Sequence, residues 1–300
     1  MGGLAEVRAL LANARPTRGS FEERRARWET TFQSYCPVPA GTVVEPLPTS
    51  GLAGEWVRAN GVVSDHDQTL LYFHGGGYTA GSAAAYRGLS ARLSSVTGRP
   101  VLAADYRLAP EQPFPAGLDD CVAAYQWLVK HVGAAPSNVV LAGDSCGGNF
   151  VITTILKLRD LGAPLPAAGV TISGQFDMTL SGESAETRAD RDLVISRESL
   201  RACAGAYIGT ADRRTPLASP IFADFKGFPP LLLQVGSEEV LRDDNVRLAA
   251  KAKAAGVQVE FEEWPQMMHV WHLFSDRLEE GRRALDRIGA FVRRHTPAIS

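Results

Sequence analysis

The feature that most constrains this chain is an alternation that starts near residue 69, in which short apolar runs of strand length are separated by longer segments of helical periodicity. Strands are expected at 69–73, 100–104, 138–142, 168–173, 231–235 and 257–264, and helices at 87–97, 118–132, 148–161, 245–255 and 276–295. Strands joined through helices need crossover connections, which predicts a mainly parallel sheet covered by helices on both faces. Two stretches break the rhythm. Residues 1–45 look helical and carry mixed charge (FEERRARWETTF), and residues from about 180 to 215 form a polar, helix-containing insertion between two strands. Both are candidates for a cap over the carboxyl edge of the sheet, where open α/β sheets place their ligands. The alternative is surface decoration. The expected division is therefore a helical cap segment at 1–45 and a main domain at 46–300 that carries the insertion.

With 300 residues, 45% of them hydrophobic and 21% charged, the chain can bury a full core. A formal net charge of -2 without a basic stripe argues against a nucleic-acid partner. No apolar stretch approaches the length of a membrane span, and the N-terminus lacks a signal-peptide h-region, so a cytoplasmic protein is expected. The Met-Gly-Gly start lacks the Ser or Thr of a myristoylation signal, having Glu6 there. Cys36, Cys121, Cys146 and Cys203 are scattered, with no C-x-x-C pair, which suggests free thiols in a reducing compartment. No metal is expected, because the histidines form neither H-x-x-x-H nor H-E-x-x-H. No cofactor is expected either, since no G-x-G-x-x-G opens an early helix.

Gly143-Asp144-Ser145-Cys146-Gly147 fits G-x-S-x-G between an expected strand and an expected helix. In that setting the glycines admit a sharp, strained turn that lifts the Ser145 hydroxyl above the sheet as a candidate nucleophile. His74-Gly75-Gly76-Gly77 follows another strand directly, and its glycines let backbone amides converge without side-chain interference. The amides of Gly76, Gly77 and Cys146 are the candidate oxyanion donors, with His74 orienting the loop. A serine near neutral pH needs an imidazole to take its proton. His269 follows the last expected strand and suits that role, whereas His272, three residues on, better suits packing. The supporting carboxylate is expected in the loop 236–244, where Glu238, Glu239, Asp243 and Asp244 compete. Asp244 has a separate possible use as a negative charge at the start of the next helix.

The segments HGGGY at 74–78, DYRLAPEQPFPAGLDD at 105–120, GDSCGGN at 143–149, ASPIFAD at 218–224, VGSEEVLRDD at 235–244 and MMHVWHLF at 267–274 span most of the chain. Through them it resembles the hormone-sensitive-lipase-like esterases, the bacterial family IV α/β-hydrolases. The resemblance implies an α/β-hydrolase fold with a helical cap and a serine carboxylesterase acting on small, short-chain acyl esters through an acyl-enzyme. It also implies homodimers in many members, and it places the triad acid on Glu239. Asp105, Tyr106, Arg107 and Glu111 match a family motif that buttresses the oxyanion loop, beside His74 and Asp144. Two departures bear on substrate choice: Ser173-Gly174-Gln175-Phe176-Asp177 replaces a common Ser-Pro-Trp before Asp, and Cys146 replaces a common Ala. An amidase or lactonase with the same triad, and a non-catalytic binding member of the fold, stay open.

Overall fold

Residue alternation along the strands sets the layering. Leu70 and Tyr72 enter one apolar cluster and Leu71 and Phe73 the other, because successive side chains of a strand point to opposite faces. A computed structural model describes residues 3–13, 20–47 and 51–298. Its strands are β1 (Val43–Pro46), β2 (Ala53–Arg58), β3 (Leu70–Phe73), β4 (Val101–Asp105), β5 (Val140–Asp144), β6 (Ala168–Ile172), β7 (Leu231–Gly236) and β8 (Val259–Trp264). They form an 8-stranded sheet in the order β1-β2-β4-β3-β5-β6-β7-β8. β2 runs antiparallel to β1 and β4, and the other pairings are parallel.

The helices are α1 (Gly3–Ala12), α2 (Phe21–Tyr35), α3 (Arg87–Thr97), α4 (Ala116–Trp127), α5 (Cys146–Asp160), α6 (Ser184–Thr187), α7 (Arg197–Ile208), α8 (Arg242–Ala254) and α9 (Glu279–His295). α4, α5 and α8 contribute Leu118, Phe150 and Leu248 to the cluster on one face. α3 and α9 contribute Leu89, Leu93 and Ile288 to the other. With both faces covered, every residue of β3, β5, β6 and β7 is buried.

The sheet begins inside the segment read as helical, since β1 and β2 were not expected and β1 spans the proposed boundary at 46. Both are short, partly exposed and interrupted by Pro46 and Gly54, so neither shows an apolar run. The helix expected at 118–132 starts at Ala116 and passes at Leu128–Val132 into a π-helical turn, closed by Gly133 at φ 83. The strand expected at 138–142 slides to β5 because Pro136–Asn138 is a 3-10 turn. α8 begins at Arg242, ahead of the expected 245. The N-terminal helices pack on the body: Val7, Leu11 and Phe32 join the cluster that contains Met267, Met268 and Val270.

Candidate active site

The carboxyl ends of β3, β5, β6 and β7 converge and carry His74, Ser145, Ser173 and the Glu239 loop. Ser145 joins β5 to α5 with φ 53 and ψ -119, a conformation that costs a non-glycine residue backbone strain. Its surroundings force that turn. A Cβ on Gly147 would stand 2.0 Å from the Phe73 carbonyl oxygen, and one on Gly143 would stand 2.5 Å from the Gly147 backbone. The Ser145 amide donates to the Ile172 carbonyl at 2.8 Å, and its carbonyl accepts from the Gln175 amide at 3.2 Å. The residue is only 8% exposed.

His269 and Glu239 meet as a buried pair, 4% and 0% exposed, with Nδ1 of the ring 2.9 Å from Glu239 Oε2. A carboxylate only accepts, so this contact places the ring proton on Nδ1 and leaves Nε2 free to accept one. Glu239 Oε1 accepts from the Gly236 amide at 2.6 Å and from the Ser173 hydroxyl at 2.7 Å. The same Ser173 oxygen accepts from the Val270 amide at 3.1 Å, tying the acid to the backbone beside the imidazole. Burial disfavours the imidazolium, but the hydrogen bond and charge of Glu239, joined by the charges of Asp192 and Asp144, hold the His269 pKa above the ordinary histidine value.

The glycine loop after β3, the candidate oxyanion loop, is fixed from below. Asp144 Oδ1 accepts from the Tyr72 hydroxyl at 2.5 Å and from the Gly75 amide at 2.8 Å, and Oδ2 accepts from the Tyr86 hydroxyl at 3.3 Å. Burial pushes this carboxyl up to about 6, although its three donors favour the ionised form. Gly76, Gly77 and Tyr78 take φ of 122, 61 and 64. The Tyr106 hydroxyl donates to the His74 carbonyl at 2.6 Å, and its ring stacks on His74 with centroids 4.3 Å apart. Cys146 contributes more than its backbone, because its sulfur accepts from the Tyr78 amide at 3.2 Å and stitches the nucleophile turn to the loop.

The remaining sequence candidates are spread more widely. Asp105 accepts from the Ala83 amide at 2.7 Å, just past the loop. Glu111 pairs at 2.6 Å with Arg25 of α2, whose guanidinium also donates to the carbonyls of Thr79 and Ala109. Arg107 instead pairs with Asp120 on α4 at 2.8 Å, and Tyr106 is the residue of that motif that reaches His74. Among the competing acids, Asp243 accepts from the Ser184 amide and Glu238 lies 3.8 Å from Arg191, so neither binds the imidazole. Asp244 does not act as a simple charge at the start of α8. It is fully enclosed, accepts the amides of Phe176 and Asp177 from the loop after β6, and is pushed up to about 7 by burial. His272 is buried, has Nε2 2.8 Å from the Gln234 side-chain oxygen, and is pushed down to about 3 by burial.

Sequence reasoning passed over Tyr72 and Asp192 and gave Ser173 no role of its own, and each of them matters only through a partner distant in the chain. Among the described residues no group of three or more His, Cys, Asp or Glu side chains is placed to hold a metal, and no helix is long and apolar enough to cross a membrane. All four cysteines are free.

A family model of the alpha/beta hydrolase fold matches residues 70–273. The crystal structure of an esterase from the bacterial hormone-sensitive lipase family superposes with a TM-score of 0.93 at 42% identity, covering 98% of each chain. The chain belongs to the hormone-sensitive-lipase-like esterases of the α/β-hydrolase fold. This hormone-sensitive-lipase-like chain is also 45% identical over 280 residues to an acetyl-hydrolase of Streptomyces hygroscopicus, covering 93% of this chain and 91% of the relative. An esterase of Acinetobacter venetianus is 34% identical over 251 residues, covering 83% and 81%.

Proposed function

We propose that the protein is a serine carboxylesterase with Ser145 as nucleophile, His269 as general base and Glu239 as the carboxylate that orients it. The observation that carries this reading is the 2.9 Å contact between His269 Nδ1 and Glu239 Oε2, at the same carboxyl edge of the sheet as a serine held at φ 53. With Nδ1 engaged, Nε2 takes the Ser145 proton as Oγ attacks the ester carbonyl, and the positive ring is stabilised by Glu239. The amides of Gly76, Gly77 and Cys146 receive the oxyanion, in a loop already fixed by Asp144, Tyr106 and the Cys146 sulfur. Collapse of the tetrahedral adduct expels the alcohol, which takes the proton from Nε2. A water activated by the same nitrogen then cleaves the acyl-serine and regenerates the enzyme.

The caps belong to the same reading. α2 reaches the oxyanion loop through Arg25, and α7 brings Tyr207 to stack on Tyr78 with centroids 3.9 Å apart. Cys203 of α7 would lie 2.8 Å from a Cβ on Gly77. Tyr207 and Cys203 this close to the donors support a reading in which the acyl site suits short acyl groups. The acetyl-hydrolase relative points the same way.

The test is hydrolysis of p-nitrophenyl esters of graded chain length by the native enzyme and by Ser145→Ala, with mass spectrometry after organophosphate treatment. Loss of turnover in the folded variant, an adduct on Ser145 and faster butyryl than palmitoyl hydrolysis are expected. Turnover of Ser145→Ala above about a hundredth of the native rate would end the assignment.

A further inference from the structure

The insertion at 180–215 is fastened to the loop that carries Glu239. Asp192, 9% exposed, accepts the Val240 amide on Oδ2 at 3.0 Å, one residue past the acid. Its Oδ1 accepts the amides of Val194 and Ile195 at 3.0 and 3.1 Å, so the carboxylate bridges its own loop to the acid loop with every contact a charge-assisted one. Ser184 makes the second fastening: its hydroxyl donates to the Val240 carbonyl at 2.8 Å and accepts from the Asp243 amide at 3.0 Å. Leu180 and Leu200 of the insertion close an apolar cluster with Val240 and Leu241.

We propose that Asp192 is a positioning residue of the esterase, through which the insertion sets the Glu239–His269 pair in place and biases its charge. The inference rests on the triad reading given above. Two effects of one side chain can be separated. The hydrogen bond to Val240 fixes the backbone that follows Glu239, and therefore the aim of its carboxylate at the imidazole. An ionised Asp192 would in addition favour positive charge on the imidazole through space. His269 is faced by Glu239, Asp192 and Asp144, and Asp192 in turn by His269 and Glu239, with the Arg191–Glu238 ion pair in the adjoining segments. Burial pushes Asp192 up to about 6, against which the backbone hydrogen bonds from Ile195 and Val240 favour the ionised form that would stabilise the imidazolium formed during attack.

The experiment compares Asp192→Ala, Asp192→Asn and Ser184→Ala. Asp192→Ala should lose about tenfold to a hundredfold in kcat with a smaller change in KM, the scale expected when a catalytic group is slightly misplaced. Asp192→Asn has one acceptor oxygen where two are used; with it turned to the Val240 amide the NH2 group faces the Val194 and Ile195 amides, so the variant should recover part of that kcat at some cost in stability. Both should shift the acid limb of kcat/KM to lower pH, because the imidazole loses a charge that favours its protonation. Ser184→Ala touches the same backbone without a charge and should leave the limb where it is. The same comparison by NMR titration of the His269 ring in the Ser145→Ala protein reads the coupling without turnover. If Asp192→Asn folds and the His269 midpoint does not fall, the inference is overturned while the triad reading stands. If Ser145→Ala retains turnover, the triad reading fails, and the ring titration still decides whether Asp192 acts on His269. A loss confined to KM in Asp192→Ala would also overturn the proposal, reducing Asp192 to a wall of the substrate pocket.

Discussion

Replacing Glu239 by Gln changes one atom for another of equal size, yet the surroundings leave the amide no satisfactory orientation. Oε1 is held between two donors, the Gly236 amide at 2.6 Å and the Ser173 hydroxyl at 2.7 Å, while Oε2 faces His269 Nδ1 at 2.9 Å. If the amide oxygen keeps the inner position, the NH2 group points at Nδ1 and that nitrogen must accept. The ring proton then moves to Nε2, where it blocks transfer from Ser145. If the amide is flipped, the imidazole keeps its tautomer but the NH2 group meets the Gly236 N–H, a donor against a donor in a site with no exposure. The first arrangement keeps both inner hydrogen bonds and should win. A wrong tautomer costs roughly 10⁴ in kcat, equivalent to about 5.5 kcal/mol of transition-state stabilisation. The assay is kcat for p-nitrophenyl butyrate across pH, with circular dichroism and thermal unfolding to establish that the variant is folded. A folded Glu239→Gln enzyme within about tenfold of native kcat would refute the argument. So would a loss of that size in Asp243→Asn, since Asp243 binds Ser184 instead of the imidazole.

Asp244→Asn should be active to within about tenfold, because the side chain touches neither Glu239 nor His269. Its effect should appear in stability against pH. The native carboxyl, raised to about 7 by burial, contributes stability below the ordinary carboxylate range that is lost as pH rises through about 7, and Asn has no such loss. The variant's unfolding temperature should therefore fall less than the native one between pH 5 and 8, and parallel curves would contradict this. Cys146→Ala keeps its backbone donor but strands the buried Tyr78 N–H, so a destabilisation of about 1–3 kcal/mol in denaturant titration is expected with kcat reduced less than tenfold. Burial pushes the thiols of Cys36 and Cys146 up to about 12 and that of Cys121 well above its usual value, whereas Cys203 is half-buried. Iodoacetamide should accordingly label Cys203 first, and peptide mapping that finds Cys146 modified earlier would be inconsistent with the packing.

What could be read from the sequence followed from how local its cause is. α3 lies at Arg87–Thr97, the expected span, because its pattern and its closing Gly98 at φ 72 are contained in a dozen residues. The glycines beside Ser145 announce their turn because the clashes they avoid involve the elbow itself and the strand immediately beside it. β1 and β2 escaped notice because they are held by pairing with each other and with β4, a relation that leaves no apolar run when one side faces solvent. The oxyanion-loop motif was visible, but not which of its residues bears on the loop: Tyr106 reaches His74 while Arg107, next in sequence, turns to Asp120.

The acids show the same limit most sharply. Glu238, Glu239, Asp243 and Asp244 lie within seven positions and are alike in charge, yet each binds a different segment: Arg191, His269, Ser184 and the amides of Phe176 and Asp177. Composition cannot rank them, because the distinction is made by which element passes overhead. The segment from β7 into α8 is in effect a junction where His269, the 180–215 insertion and the turn after β6 are all tied by carboxylates. A substitution anywhere in it is therefore expected to couple to the others instead of adding independently. A double-mutant cycle between Asp192 and Asp243 should show this in unfolding free energy, since Val240 and Ser184 connect them, and strict additivity would mean the two fastenings act separately.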